Sequence, residues 1–196
     1  PPGDVTARLA ALLHDVGKSR TKDGPHFYRH EHVGAEMARD MLARLRFSND
    51  VVQTVGRLVD GHMYAADPEL TDAAVRRFIR RIGPAQLERQ FALRHADIAG
   101  SGLPKRDDSN ERFEARVWSE VRREPAFSVT DLKIGGADVI AAMVRRALVP
   151  PDFRGDARVG TALQWLFEQV TDAPERNDRS SLLRLLEKYF DAEITP

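Results

Sequence analysis

Apolar residues recur at helical spacing in nearly every window of this 196-residue chain, and no stretch alternates with period two for long enough to build a sheet. That pattern predicts an all-α protein. A helix capped by Asp4 carries Leu9, Leu12 and Leu13 and stops near Gly17, and residues 18–29, with Gly24 and Pro25, read as a loop. The next helix, 30–46, puts Val33, Met37, Met41, Leu42 and Leu45 on one face. Ser48, Asn49 and Asp50 offer caps to a third, 51–60. Val75, Phe78, Ile79 and Ile82 mark a fourth, broken by Gly83-Pro84, and 85–99 a fifth with Leu87, Phe91 and Asp97. A polar segment, 100–110, precedes the helix of Phe113, Val117 and Val121.

Composition changes at Pro125. An irregular connector leads to a short helix with Val139, Ile140, Met143 and Val144. Two amphipathic helices follow, one carrying Leu163, Leu166, Phe167 and Val170 and the other Leu182, Leu185, Leu186 and Tyr189. The expectation is a helical bundle over residues 1–124 followed by a smaller helical region over 125–196, with Trp118 and Trp165 in the core.

The absence of cysteine excludes disulfides, thiolate catalysis and thiolate zinc sites, so any metal must be held by His, Asp or Glu. Thirty basic residues against thirty acidic ones remove the footprint of a strongly basic nucleic-acid binder, although a local basic stripe fits within a neutral total. No apolar run approaches the ~18 residues that span a bilayer. The chain opens on Pro1 with no signal-peptide pattern, and is expected to be a cytoplasmic piece of a longer polypeptide with no membrane partner.

Chemistry concentrates in His14-Asp15-Val16-Gly17-Lys18. An imidazole and a hard carboxylate at one helix end suit a shared cation, provided both face a concave site between helices. His30 opens a helix, His62 ends one and Asp97 lies on another, each beside apolar positions that face the core. Helix packing gathers such polar exceptions. Burying them without a partner is costly, and a cation resolves that cost. Arg76, Arg77, Arg80 and Arg81 lie opposite the Val75/Phe78/Ile79/Ile82 stripe, as a solvated helix face or as contacts to RNA phosphates.

The ordered set of His14-Asp15, His30-Glu31, His62 and Ala96-Asp97 resembles the HD superfamily of metal-dependent phosphohydrolases. Phe27-Tyr28-Arg29-His30-Glu31-His32-Val33-Gly34 and Val75-Arg76-Arg77-Phe78-Ile79-Arg80-Arg81 are similar to the HD region of the tRNA nucleotidyltransferase/poly(A) polymerase family. So are Leu132-Lys133-Ile134-Gly135-Gly136-Ala137-Asp138 and the Asn177-Asp178-Arg179 that precedes Leu182-Leu183. The resemblance implies that His14, Asp15 and Asp97 ligate a divalent metal (Mg, Mn, Ni, Fe or Zn). It assigns His30 and His62 to a second metal or the substrate phosphate. Asp15 and Lys18 become the catalytic pair, acting on a nucleotide or RNA-end phosphate.

Two departures from the family accompany this. No histidine precedes His14, where HD domains supply a first ligand, so weak or no hydrolysis is expected of these residues alone. The family's nucleotidyltransferase head, with its paired aspartates on strands, has no counterpart here, since Asp107-Asp108 sits in a polar segment. The competing expectation is a non-catalytic body and tail that binds tRNA for such a head.

Overall fold

The computed structural model describes residues 3–102 and 107–194, with side chains to residue 192. Part of the polar segment 100–110, residues 103–106, lies outside the described residues. The helices are α1 (Val5–Leu13), α2 (Lys18–Thr21), α3 (His30–Arg44), α4 (Asn49–Asp60), α5 (Asp72–Ile82), α6 (Leu87–Gly100), α7 (Ser109–Val121), α8 (Gly136–Arg145), α9 (Ala157–Asp172) and α10 (Arg179–Ile194). Residues 18–29, expected as a loop, instead hold the single turn α2 and a two-residue hairpin, β1 (Lys22–Asp23) with β2 (His26–Phe27), closed through Gly24-Pro25. Two paired residues per strand leave the all-α class intact. Among the described residues, no helix is long and apolar enough to cross a membrane.

The chain groups into two units, residues 1–69 with 81–116 and residues 70–80 with 117–196. This differs from a linear cut near Glu124, because most of α5 joins the later unit.

In the first unit the Asp4 carboxylate caps α1 by accepting from the Ala7 amide (3.0 Å) and also accepts from Arg89 Nε of α6 (2.7 Å), tying the two helices together. The core contains Ala10, Ala35, Ala38, Leu42, Val52, Val55, Leu58, Val59 and Leu93. Leu9 and Leu13 pack against this core and Leu42 lies in it, so the two expected faces are corrected in part. α1 buries Ala7 and Ala10 while Leu12 is 77% exposed, and α3 buries Gly34, Ala35, Ala38 and Leu42 while Leu45 faces solvent. Small side chains let backbones approach closely, so the large apolar residues flank the contact instead of filling it. The clearest case is Gly17 against α3: a Cβ there would overlap the His30 carbonyl oxygen and lie 2.6 Å from the Gly34 nitrogen. That approach is what sets Asp15 beside His30.

In the second unit Leu132, Val139, Met143, Leu166, Phe167, Val170, Leu182, Leu186 and Phe190 form much of the core. Asn177 accepts from the Lys133 amide (3.1 Å) and donates to the Asp131 carbonyl (3.0 Å), and Arg179 binds Asp138 (2.5 Å). The two motifs flanking this region are therefore a latch between the connector, α8 and the start of α10. Trp118 and Trp165, expected in the core, are half-buried; Trp165 packs against the core of this unit, its ring on Tyr189 with centroids 5.2 Å apart.

Among the arginines of α5, Arg76 departs from the expectation of a solvated face or a phosphate contact. Arg76 is buried, with Nη1 on Glu120 (2.6 Å), Nε on the Thr171 carbonyl (2.5 Å) and Nη2 on the Asp172 carbonyl (3.0 Å). It neutralises a buried carboxylate and caps the end of α9, so it is neither solvated nor open to a phosphate. Arg77 pairs with Asp172 (2.5 Å) and Arg80 with Glu168 (2.8 Å). Arg81 is exposed on the same helix.

Candidate metal centre

The centre is built wholly within the first unit. His14 follows the last residue of α1, Asp15 sits in the turn before α2, His30 opens α3, His62 follows α4, and Asp97 lies in α6. The entry into α3 is made by Arg29, whose φ of 57° places a non-glycine residue in the left-handed region. That reversal brings the Phe27 carbonyl onto the His30 ring.

Each of the three histidines is held by the same device. His14 Nδ1 lies 2.8 Å from the Ala11 carbonyl, His30 Nδ1 2.9 Å from Phe27 and His62 Nδ1 2.6 Å from Val59. A carbonyl only accepts, so Nδ1 carries a hydrogen in each ring, and in the neutral form Nε2 then presents its lone pair to the centre. This is the orientation that histidines ligating a metal through Nε2 adopt, with the second nitrogen fixed by an outer partner.

The Nε2 atoms surround Asp15. His14 Nε2 is 3.3 Å from Asp15 Oδ2 and 3.4 Å from Asp97 Oδ1, and His30 Nε2 is 3.4 Å from Asp15 Oδ1, with His62 Nε2 at 3.9 Å. Asp15, His30 and His62 offer ligand atoms all within 4.8 Å of one another. His14 Nε2 is buried and makes no hydrogen bond, while the Nε2 atoms of His30 and His62 face each other at 3.3 Å. Two lone pairs at that distance repel unless a cation or a proton lies between them. Burial pushes the His62 imidazole below its ordinary range, aided by the neighbouring His14 and His30 and only partly opposed by the Val59 carbonyl and Asp15, which disfavours the proton. Two buried imidazoles, a third with an orphaned Nε2 and a carboxylate with an oxygen toward each group fit a divalent cation.

Lys18 Nζ binds Asp15 Oδ2 at 2.6 Å and stands 5.7 Å from the Phe27 ring centre. Partial burial pushes the Asp15 carboxyl up, but the Lys18 hydrogen bond and charge, together with the neighbouring His14 and His30, outweigh it and hold it below the usual range. Asp15 is therefore an anion at neutral pH. Beyond the expected set, His32 reaches Asp60 at 2.6 Å on the exposed side, and Glu31 Oε2 lies 3.7 Å from His30 Nδ1. The His-Glu-His run at 30–32 was the one signal for these outer contacts.

A sequence profile of the HD domain matches residues 4–111, which hold every one of these side chains. The chain belongs to the HD domain family. Relatives of this HD domain chain include the CC-adding tRNA nucleotidyltransferase of Thermus thermophilus, 45% identical over 87 residues, and the A-adding tRNA nucleotidyltransferase of Deinococcus radiodurans, 39% identical over 87 residues. Each match covers 41% of this chain and 20% of the relative. The multifunctional CCA protein of Legionella pneumophila is 47% identical over 45 residues, covering 22% of this chain and 11% of its own. The matched stretch thus spans about a fifth of the length of the first two relatives. No solved structure matches the chain significantly.

The depressed His62 gives the centre a pH signature in cation-free protein. Between the folded and the ordinary histidine range the unfolded chain binds a proton that the folded protein resists, so stability rises with pH there. It is complete above the ordinary range near 6.5 and is lost as pH falls through the lower, folded value. Thermal melts in chelator from pH 7.5 to 5.5 should show a falling Tm, with a shallower fall in His62→Gln. Equal slopes for the two proteins would contradict this.

Proposed function

We propose that the HD domain holds a divalent cation and hydrolyses a phosphomonoester or phosphodiester on a nucleotide or an RNA end, in a protein of the tRNA nucleotidyltransferase kind. The observation that carries this reading is the set of three Nε2 lone pairs, each aimed by a backbone carbonyl, converging on an ionised aspartate. His14, Asp15 and Asp97 form one donor group and Asp15, His30 and His62 the other, with Asp15 common to both. A cation bound there polarises a phosphoryl oxygen and lowers the pKa of water toward ~7. Asp15 orients the attacking water by accepting its hydrogen bond. Lys18, paired with Asp15, supplies the positive charge that neutralises the phosphate.

Turnover of 2′,3′-cyclic AMP or bis-p-nitrophenyl phosphate with Mn²⁺ or Ni²⁺ is the test. Low but cation-dependent hydrolysis is expected, falling by at least about 100-fold in Asp15→Asn. Turnover that ignores the cation, or an active Asp15→Asn protein, would overturn the reading.

A second reading, a non-catalytic body and tail that binds tRNA, draws on a separate observation. The Lys18 ammonium lies 2.6 Å from Asp15 Oδ2 and by itself neutralises that carboxylate. Tight cation binding without turnover would favour it, and the names of the relatives make tRNA the partner to try first.

A further inference from the structure

Arg94 stands three residues before Asp97 on α6, so the two side chains are neighbours on the helix surface, about 5–6 Å apart at Cβ. The segment that follows His62 brings the Tyr64 ring against the Arg94 guanidinium, with Cζ 5.3 Å from the ring centre. That ring rests in turn on the buried Phe113, centroids 6.0 Å apart. Arg94 Nε donates to the Asn110 side-chain oxygen at the start of α7 (3.2 Å). The guanidinium is therefore held between the helix that carries Asp97 and the segment that leaves His62, and the residue is half-buried. Among the described residues no carboxylate forms an ion pair with it; Glu114 of α7 binds His95 instead (3.0 Å).

A half-buried charge without a counter-charge gives up hydration for little in return, and an anion beside it restores the balance. One hydrogen bond through Nε and one aromatic face fix the plane of this guanidinium, while its two Nη nitrogens keep their hydrogens for another partner. A planar fork fixed in this way matches a pair of phosphate oxygens. The phosphate at the cation is not the group it meets. Lys18 already stands at Asp15 for that one, and Arg94 lies nearly a full turn of α6 from Asp97, whose Oδ1 faces His14 Nε2. A second phosphate on the same substrate fits the offset.

We propose that Arg94 makes the centre select substrates that carry a second phosphate beside the one held at the cation. The inference rests on the reading that the centre takes a phosphate. The second group is either the other phosphate of a nucleoside bisphosphate or the next phosphodiester of a nucleotide chain, and the ligands of the test separate the two. Calorimetric titrations in the cold with Mn²⁺ compare adenosine 3′-monophosphate, adenosine 3′,5′-bisphosphate and the dinucleotide ApAp, each against wild type, Arg94→Gln, Arg94→Lys and Arg112→Ala. Wild type should bind a two-phosphate ligand about tenfold more tightly than the monophosphate, and the tighter of the two identifies the source. Arg94→Gln should lose that preference, and Arg94→Lys should keep part of it through its charge. Arg112→Ala, at an exposed residue paired with Glu69, should keep all of it. If Arg94→Gln melts early, Arg94→Lys carries the comparison. No preference in wild type, a preference that survives Arg94→Gln, or equal weakening of the monophosphate and the two-phosphate ligands would each overturn the assignment. Turnover of the same ligands separates this from the hydrolase reading. A preference lost in Arg94→Gln, in a protein that shows no Mn²⁺-dependent hydrolysis, would refute hydrolysis and leave Arg94 as the contact of the second phosphate.

Discussion

Replacing Arg76 with alanine should destabilise the chain by about 3–5 kcal/mol, the range for removing one partner of a buried ion pair. Arg76 and Glu120 are only 6% and 5% exposed at their side chains, so the substitution leaves a buried carboxylate with little but Arg123 beside it. It also frees the Thr171 and Asp172 carbonyls at the end of α9, which lose the donors that cap them. The effect should appear as a lower urea midpoint with an unchanged slope. Arg76→Met/Glu120→Leu should recover much of the loss, because matched apolar partners replace a buried pair at little cost. Arg77→Ala, at an exposed pair, should shift the midpoint by no more than about 1 kcal/mol. Equal effects at Arg76 and Arg77 would contradict this account of α5.

Arg76 also illustrates where sequence reasoning stops. Its place opposite an apolar stripe reads as solvent-facing only if the helix has one neighbour. Here α7 and α9 cover the opposite side as well, and a guanidinium is long enough to satisfy both. The faces of α1 and α3 hold at Leu9, Leu13 and Leu42 but miss at Leu12 and Leu45 for a related reason. Periodicity weighted by size selects Leu12 and Leu45, whereas the contact is made by Ala10, Gly34, Ala35 and Ala38, whose value lies in what they omit. What was legible was local and repeated: the helices themselves, the Asp4 cap, the break at Gly83-Pro84 and the family, from its ordered His and Asp positions. The spacing of those positions implied that they meet. It gave no access to the carbonyls of Ala11, Phe27 and Val59, which choose the tautomers and convert a histidine cluster into three inward lone pairs.

Those lone pairs lead to the second large effect. Asp15 has one oxygen toward His14 and Lys18 and the other toward His30 and His62, so Asp15→Asn touches both donor groups at once. His30→Ala removes one of the two facing Nε2 atoms and leaves Asp15 and His62. Loss of an outer partner of a metal ligand typically weakens affinity about 10–100-fold. Loss of Asp15 itself should exceed that range, and His30→Ala should reach at least its upper end. His32→Ala, whose ring pairs with Asp60 outside the cluster, should change affinity little.

The direct measurement is a calorimetric titration of Mn²⁺ or Ni²⁺ into chelator-stripped protein at pH 7.5, repeated at pH 6. Wild type should bind saturably and more weakly at the lower pH, because imidazole nitrogens must be free of protons to ligate. Asp15→Asn should lose that binding while retaining a cooperative melt. Absence of wild-type binding, or binding that survives Asp15→Asn and His30→Ala unchanged, would contradict a metal centre at these residues.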